Sequence, residues 1–222
     1  AHLRMYSDME ILDLRQTLRD AKGADPIYHL TDTHWSDLGA FVAYREIMQQ
    51  VAGWLPTGNP APLSSFEPHR YSSSGDLAGM LSMNGTLVED WLDLVPRTPR
   101  RAHPQGAVSP GYGESWVQDT DDPSLPSAVM LHDSFGLNLV RLVAEHFRHT
   151  VFVWTLTMDP ALFRDERPDV VIQESAERFL MARPPDDSAE LNDNTRLRAR
   201  FAASSDVRLR LAPGGAASGI EP

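Results

Sequence analysis

Two short stretches of this sequence hold residue types that could share a proton relay. Asp32-Thr33-His34-Trp35 places a carboxylate and an imidazole two positions apart, just before a helix-like run. His132-Asp133-Ser134 places a hydroxyl where a β-prone run gives way to another helix-like run. In an extended segment residues i and i+2 project to one side, so Asp32 could reach His34 and fix its tautomer. His34 could then take the proton of Ser134, whose hydroxyl is a weak nucleophile without a base. Amides opening the helix after Ser134 would stabilise an oxyanion on an attacked carbonyl. Plainer uses compete with each role: Ser134 as a helix N-cap, Asp32 as a cap on the next turn, His34 as a partly buried structural histidine.

An Asp-x-His pair also opens dinuclear metallophosphoesterase sites. Those require a G-D-x-x-D and an N-H-[DE] further on. Gly75-Asp76 begins the first, but Gly79 stands where its second aspartate belongs, and no Asn-His pair occurs. The expected site therefore has no metal and no cofactor. Trp35 could stack on a sugar ring or pack helix against sheet. Gly75 and Asp76 could form a turn near the oxyanion or a purely structural one. Glu174 and the pair Glu177-Arg178 read as an ion pair holding a sheet edge.

The elements that would position these groups follow from pattern. Met9–Leu14 (MEILDL) reads as a strand and RQTLRDAKG as a helix stopped at Gly23. After His34, residues Leu38, Phe41, Val42, Ile47, Val51 and Trp54 recur at helical intervals, with Ser36 or Asp37 as N-cap. Between residues 56 and 126 prolines, serines and glycines interrupt every apolar run, leaving short helices at GDLAGML and VEDWLDLV and an irregular excursion that could form a wall or lid. Ala128–Leu131 then reads as a buried strand, GLNLVRLVAEHF as a helix, TVFVWTL and PDVVIQES as further strands, and AERFLMA as a helix. This alternation is that of an α/β domain with a parallel sheet flanked by helices, spanning residues 1–183. Residues 184–222 read as a polar, partly disordered tail with one edge-strand pattern, VRLRL.

Bulk properties narrow the chemistry. The 222 residues suit one α/β core, and a formal net charge of −11 disfavours nucleic acid, which needs clustered cations. Lys22 is the sole lysine and lies in no phosphate-binding loop; the absence of cysteine excludes thiol nucleophiles, disulfides and thiolate zinc sites. No run approaches a membrane span, and the N-terminus does not read as a signal peptide.

Four motifs in order, TDTHWSDLGA (31–40), GDLAGML (75–81), LHDSFG (131–136) and PDVVIQESAERFL (168–180), resemble the SGNH-hydrolase-like domain of alginate O-acetyltransferases of the AlgX and AlgJ type. The likeness runs over about residues 9 to 181, with aspartate and histidine preceding the nucleophile as in a circular permutation. It implies a catalytic triad of Asp32, His34 and Ser134 and transfer of acetyl groups to a bacterial exopolysaccharide. It further implies an extracytoplasmic setting and a membrane O-acyltransferase supplying acetyl. The same triad permits a carbohydrate acetylesterase, and a noncatalytic carbohydrate-binding module is a third reading. Such motifs often carry glycine where His132 stands, so a tighter turn or a more polar pocket entrance is expected. The family domains also begin with further elements, so an N-terminal piece of the sheet is expected to be missing, leaving an exposed apolar edge strand beside MEILDL.

Overall fold

The computed structural model describes residues 10–23, 25–106 and 115–181. The expected polar tail and its VRLRL segment lie outside them. Residues 13–183 form one compact unit. Its centre is a five-stranded sheet in the order β3-β4-β6-β5-β7. The strands are β3 (His103–Gly106), β4 (Ser115–Asp119), β5 (Ser127–His132), β6 (His149–Trp154) and β7 (Val170–Gln173).

Strand β5 is flanked on both sides by parallel partners, β6 and β7. All six of its residues are buried, as expected of a strand covered on both faces. Ala128 and Met130 face a core that includes helices α2 (Asp37–Ala52) and α4 (Leu137–Val143), through Phe41, Tyr44, Met48, Leu139 and Val143. Val129 and Leu131 face the opposite side, packing with Val151 and Val153 of β6 and Leu162 of α5 (Pro160–Glu166). The period-two alternation of one apolar run thus serves two helical layers. Helix α1 (Arg15–Asp20) and α3 (Asp76–Met80) are short.

The sheet is mixed rather than wholly parallel, because β4 joins β6 antiparallel and β3 joins β4 antiparallel. Three local expectations change. Glu10–Leu14 forms neither strand nor helix, so the sheet edges among the described residues are β3 and β7. Asp13, which ends the apolar run, instead accepts the amide and guanidinium of Arg15, favouring a helix start over a pleated ladder.

Within 56–126, Phe66–Ser73 (β1) and Glu89–Pro96 (β2) form an antiparallel hairpin sheet of their own. The segment expected as a short helix, VEDWLDLV, is therefore a strand: Leu92 and Leu94 point inward two apart while their neighbours do not. Strand β1 carries no such pattern, since only Phe66 is buried in it, which is why its sequence reads as irregular. After β7 the predicted helix tightens to a 3-10 turn, Glu177–Met181. Among the described residues no helix is long and apolar enough to cross a membrane.

Candidate active site

Ser134 lies beyond the carboxyl end of β5. From β5 the chain passes to β6 on one side and later returns as β7 on the other, so Ser134 sits where parallel connections diverge, the position at which open sheets of this kind bind ligands. The turn is a 3-10 segment, Ser134–Gly136, capped by Asp133, whose carboxylate accepts the Phe135 amide at 2.8 Å and the Ala176 amide at 2.7 Å. The cap is Asp133, which leaves the Ser134 hydroxyl free to face the histidine. Among the described residues the Ser134 amide meets no acceptor. The turn needs Gly136: a Cβ there would lie 2.3 Å from the His132 side chain.

The Asp32-Thr33-His34 segment is a series of bends rather than an extended strand. Asp32 still reaches His34, through an Asx-type turn in which one carboxylate oxygen accepts both the His34 amide at 2.9 Å and ring Nδ1 at 2.7 Å. A carboxylate only accepts, so the ring proton sits on Nδ1 and the Nε2 lone pair faces outward. Nε2 lies 2.8 Å from Ser134 Oγ. Three groups separated by 100 residues of chain thus form one continuous relay.

The bends are held by side chains. Glu89 on β2 accepts the amides of Leu30 and Thr31, each at 2.7 Å, and the Thr31 hydroxyl at 2.5 Å. Asp76 accepts the Thr33 amide at 2.8 Å and its hydroxyl at 2.6 Å. In return the Asp76 amide, opening α3, donates to the second oxygen of Asp32 at 2.8 Å. Gly75 permits this approach, since a Cβ would lie 2.3 Å from Asp32 Cβ and 2.5 Å from the Thr31 carbonyl. Burial pushes the Asp32 carboxyl up, but the Asp76 and His34 amides and the imidazole outweigh it, leaving Asp32 below the usual carboxylate range. Glu89 is also lowered, the Leu30 and Thr31 donors outweighing its burial.

The structure relocates several other residues. Trp35 is 4% exposed; its indole donates to the Phe135 carbonyl at 3.1 Å and its ring meets Phe135 edge-on, so it packs the two halves of the site together and offers no face to a sugar. His132 is wholly buried, edge-on to Trp116, and bonds the Asp133 carbonyl at 2.6 Å, so it sits beneath the turn and does not line an entrance. It is buried because it is the last residue of a strand covered on both faces. Gly75 and Asp76 bond the segment that carries Asp32 and His34, through Thr31, Thr33 and Asp32, and no contact with Ser134 is present among the described residues. Among the described residues Arg178 forms no ion pair with Glu174 or Glu177, contrary to the edge reading: Arg178 lies over the Phe135 ring, and Glu177 is 4.0 Å from Arg15. Sequence reading missed Glu89 altogether, because its donors, Leu30 and Thr31, lie 59 and 58 residues away.

Asp32, His34 and Asp76 bring one potential metal-ligand atom each within 4.8 Å of one another. Nδ1 of His34 is already bonded to Asp32, so a cation there would compete with the relay. A hollow lined by Arg45, Gln49, Asn59, Pro60, Pro62 and Leu63 contains no nucleophile or general base.

Residues 6–109 match the family model described as the SGNH hydrolase-like domain of the acetyltransferase AlgX. The match takes in just under half of the chain, and over it the sequence is similar to that domain. No curated protein matches the chain. Among solved structures, the chain is similar to a DHHW family protein from Eubacterium siraeum, with 16% identity, 72% of this chain and 61% of that one covered, and a TM-score of 0.56. It is similar also to PatB1 of Bacillus cereus, with 16% identity, 70% and 64% coverage and a TM-score of 0.53. The alignment with the O-acetyltransferase domain of Pseudomonas putida AlgJ covers 86% of this chain and 66% of that one at 17% identity, with a TM-score of 0.47. The chain thus spans under two thirds of the length of these structures, and at such identities the first two likenesses establish the fold alone.

Proposed function

We propose that this domain is an O-acetyltransferase that moves acetyl groups onto a bacterial exopolysaccharide through a Ser134-His34-Asp32 triad. The observation that carries the reading is the unbroken relay from Asp32 through the imidazole to the Ser134 hydroxyl, at 2.7 and 2.8 Å. Such a relay is recognised by mutual geometry whatever its chain order.

In the forward step Ser134 Oγ attacks the acetyl carbonyl while His34 Nε2 takes its proton. A tetrahedral oxyanion forms, and the unpaired Ser134 amide is the donor nearest to hand for it. Collapse expels the donor's alkoxide, which takes the proton from His34, and an acetyl-serine remains. A sugar hydroxyl, deprotonated by His34, then attacks that ester and releases Ser134. Asp32 keeps Nδ1 protonated and offsets the charge of the transient imidazolium. Resemblance to the family supports a polysaccharide acceptor, alginate being one such polymer, an acetyl donor delivered by a membrane O-acyltransferase, and an extracytoplasmic, periplasmic setting. The catalytic unit runs through residue 183 on this reading, with residues 184–222 as a polar tail.

The test compares wild type with Ser134→Ala on a chromogenic acetyl ester, with and without an oligosaccharide acceptor. The expected outcome is loss of about 10³-fold or more in Ser134→Ala, and acetyl mass gained by the sugar with wild type alone. Free acetate as the sole product in the presence of acceptor would make the domain an acetylesterase. Equal background rates in both proteins would leave a carbohydrate-binding module.

A further inference from the structure

One buried carboxylate outside the relay touches elements from both halves of the site. Asp37 opens α2 just after His34, and its side chain is 5% exposed. Helix capping does not account for it, because Ser36 is the N-cap and accepts the Gly39 amide at 3.3 Å. The Asp37 oxygens go to tertiary partners instead. One accepts the Asn138 side-chain amide at 2.9 Å, and the other accepts the Leu94 amide at 2.9 Å and pairs with the Arg141 guanidinium. Among the described residues Asp37 is the acid paired with Arg141, whose Nε is buried and meets no acceptor.

These partners belong to the elements that carry the relay. Asn138 and Arg141 lie one turn apart on α4, the helix that opens directly after the Ser134–Gly136 turn. Leu94 lies on β2, whose Glu89 holds Leu30 and Thr31. The stretch from Thr31 to Asp37 is thus tied to β2 on either side of His34. Through the same Asp37 carboxylate it is tied to the helix that follows Ser134.

Helices α2 and α4 also share an apolar core, but apolar contact is non-directional and does not by itself fix the register of one helix against another. A buried ion pair adds little net stability once its desolvation is counted, whereas its hydrogen bonds are directional. Trp35 supplies one directed link between the halves, its indole donating to the Phe135 carbonyl, and Asp37 supplies the others. We propose that Asp37 is a positioning residue that sets the register of α4 against α2, and with it the approach of His34 Nε2 to Ser134 Oγ. The proposal rests on Ser134 being the nucleophile and His34 its base.

Asp37→Asn in the full chain tests this, since it keeps the size of the side chain, removes its charge and turns one acceptor into a donor. For an acetyl ester, kcat per folded molecule is expected to fall about tenfold or more. KM should stay within about twofold of wild type, because the side chain is too buried to touch substrate. The imidazole ¹⁵N shifts of His34 report the geometry apart from turnover. Nε2 should move from its wild-type position toward the one it takes in Ser134→Ala, while Nδ1, bonded to Asp32 within its own segment, stays in place. Combining Asp37→Asn with Asn138→Asp restores a donor and acceptor between the helices and a carboxylate beside Arg141. This exchange should return Nε2 and bring kcat to within about threefold of wild type. A lowered melting temperature with kcat per folded molecule and the Nε2 shift unchanged overturns the proposal, as does a folded exchange variant that recovers nothing. Should either Asp37 variant fold poorly, Asn138→Ala, which leaves the carboxylate beside Leu94 and Arg141, decides: movement of Nε2 supports the proposal, and none overturns it. If Ser134→Ala keeps the wild-type rate, the triad reading fails, while the Nε2 shift still reports whether Asp37 holds His34 against Ser134.

Discussion

The two halves of the site are held in place by different forces. Ser134 hangs from the end of β5, a strand buried on both faces and hydrogen bonded to parallel neighbours on both sides. Apolar burial fixes its position, and this force is non-directional and spread over many contacts. His34 and Asp32 sit instead on a bent segment with no ladder of its own, fastened by Glu89, Asp76 and the opening of α3. That half depends on a handful of directed hydrogen bonds. Damage to the first half should appear as lost stability, and damage to the second as lost turnover in a protein that stays folded.

The contrast can be broken from either side. Met130→Ala removes a wholly buried side chain from β5. It should cost about 2–5 kcal/mol and lower the melting temperature by about 2–4 °C per kcal/mol. Turnover per folded molecule should stay within about threefold of wild type, as measured with the folded fraction fixed by circular dichroism. A large loss of turnover at unchanged melting temperature would overthrow the division.

Gly75→Ala attacks the other half. The new methyl would meet backbone atoms of Asp32 and Thr31 at under 3 Å, so Asp32 must move away from His34. Displacements of that size at a reacting centre cost about 10²-fold in kcat, and kcat should fall by that order while most of the melting temperature survives. Steady-state kinetics beside a thermal melt would check it, and an unchanged kcat would show that Asp32 tolerates the shift.

Glu89→Gln is gentler. The variant still accepts from Leu30 and Thr31 but without charge, and kcat should drop by about tenfold, reflecting a looser segment. It also sharpens the electrostatics. Glu89 and Asp32 are both lowered on folding, so each contributes stability that is present above its ordinary unfolded value and is lost as pH falls through the lowered folded one. Urea midpoints followed from pH 6 to pH 3 should therefore fall less steeply in Glu89→Gln than in wild type. Parallel curves would mean that Glu89 carries no such linkage.

The same contrast explains which parts were legible in the amino-acid order. β5, β6, α2 and α4 were readable because apolar runs and periodicity report burial, and β7 because Val170, Val171 and Ile172 are β-branched. The short α3 could be found from Gly75-Asp76 and the apolar residues that follow. Strand β1 could not, because seven of its eight residues avoid burial and leave no alternation. Strand β2 was mistaken for a helix because Trp91, Leu92 and Leu94 fit either period over so few residues. The expected leading strand failed because Asp13 bonds locally to Arg15 instead of continuing a pleat.

Within the site, residue types and spacing marked Asp32, His34 and Ser134 as candidates for a relay, since a relay needs those functional groups and an i, i+2 spacing lets two of them touch under several backbone shapes. What each surrounding residue does was decided by tertiary structure alone. Trp35 and His132 are buried because of the layers that close over them, Glu89 finds its donors 58 and 59 residues away, and Glu174 meets Asp133 across 41 residues. Spacing along the chain governs contacts between near neighbours, whereas enclosure, and with it the charge state of a carboxyl, depends on which distant segments pack around it.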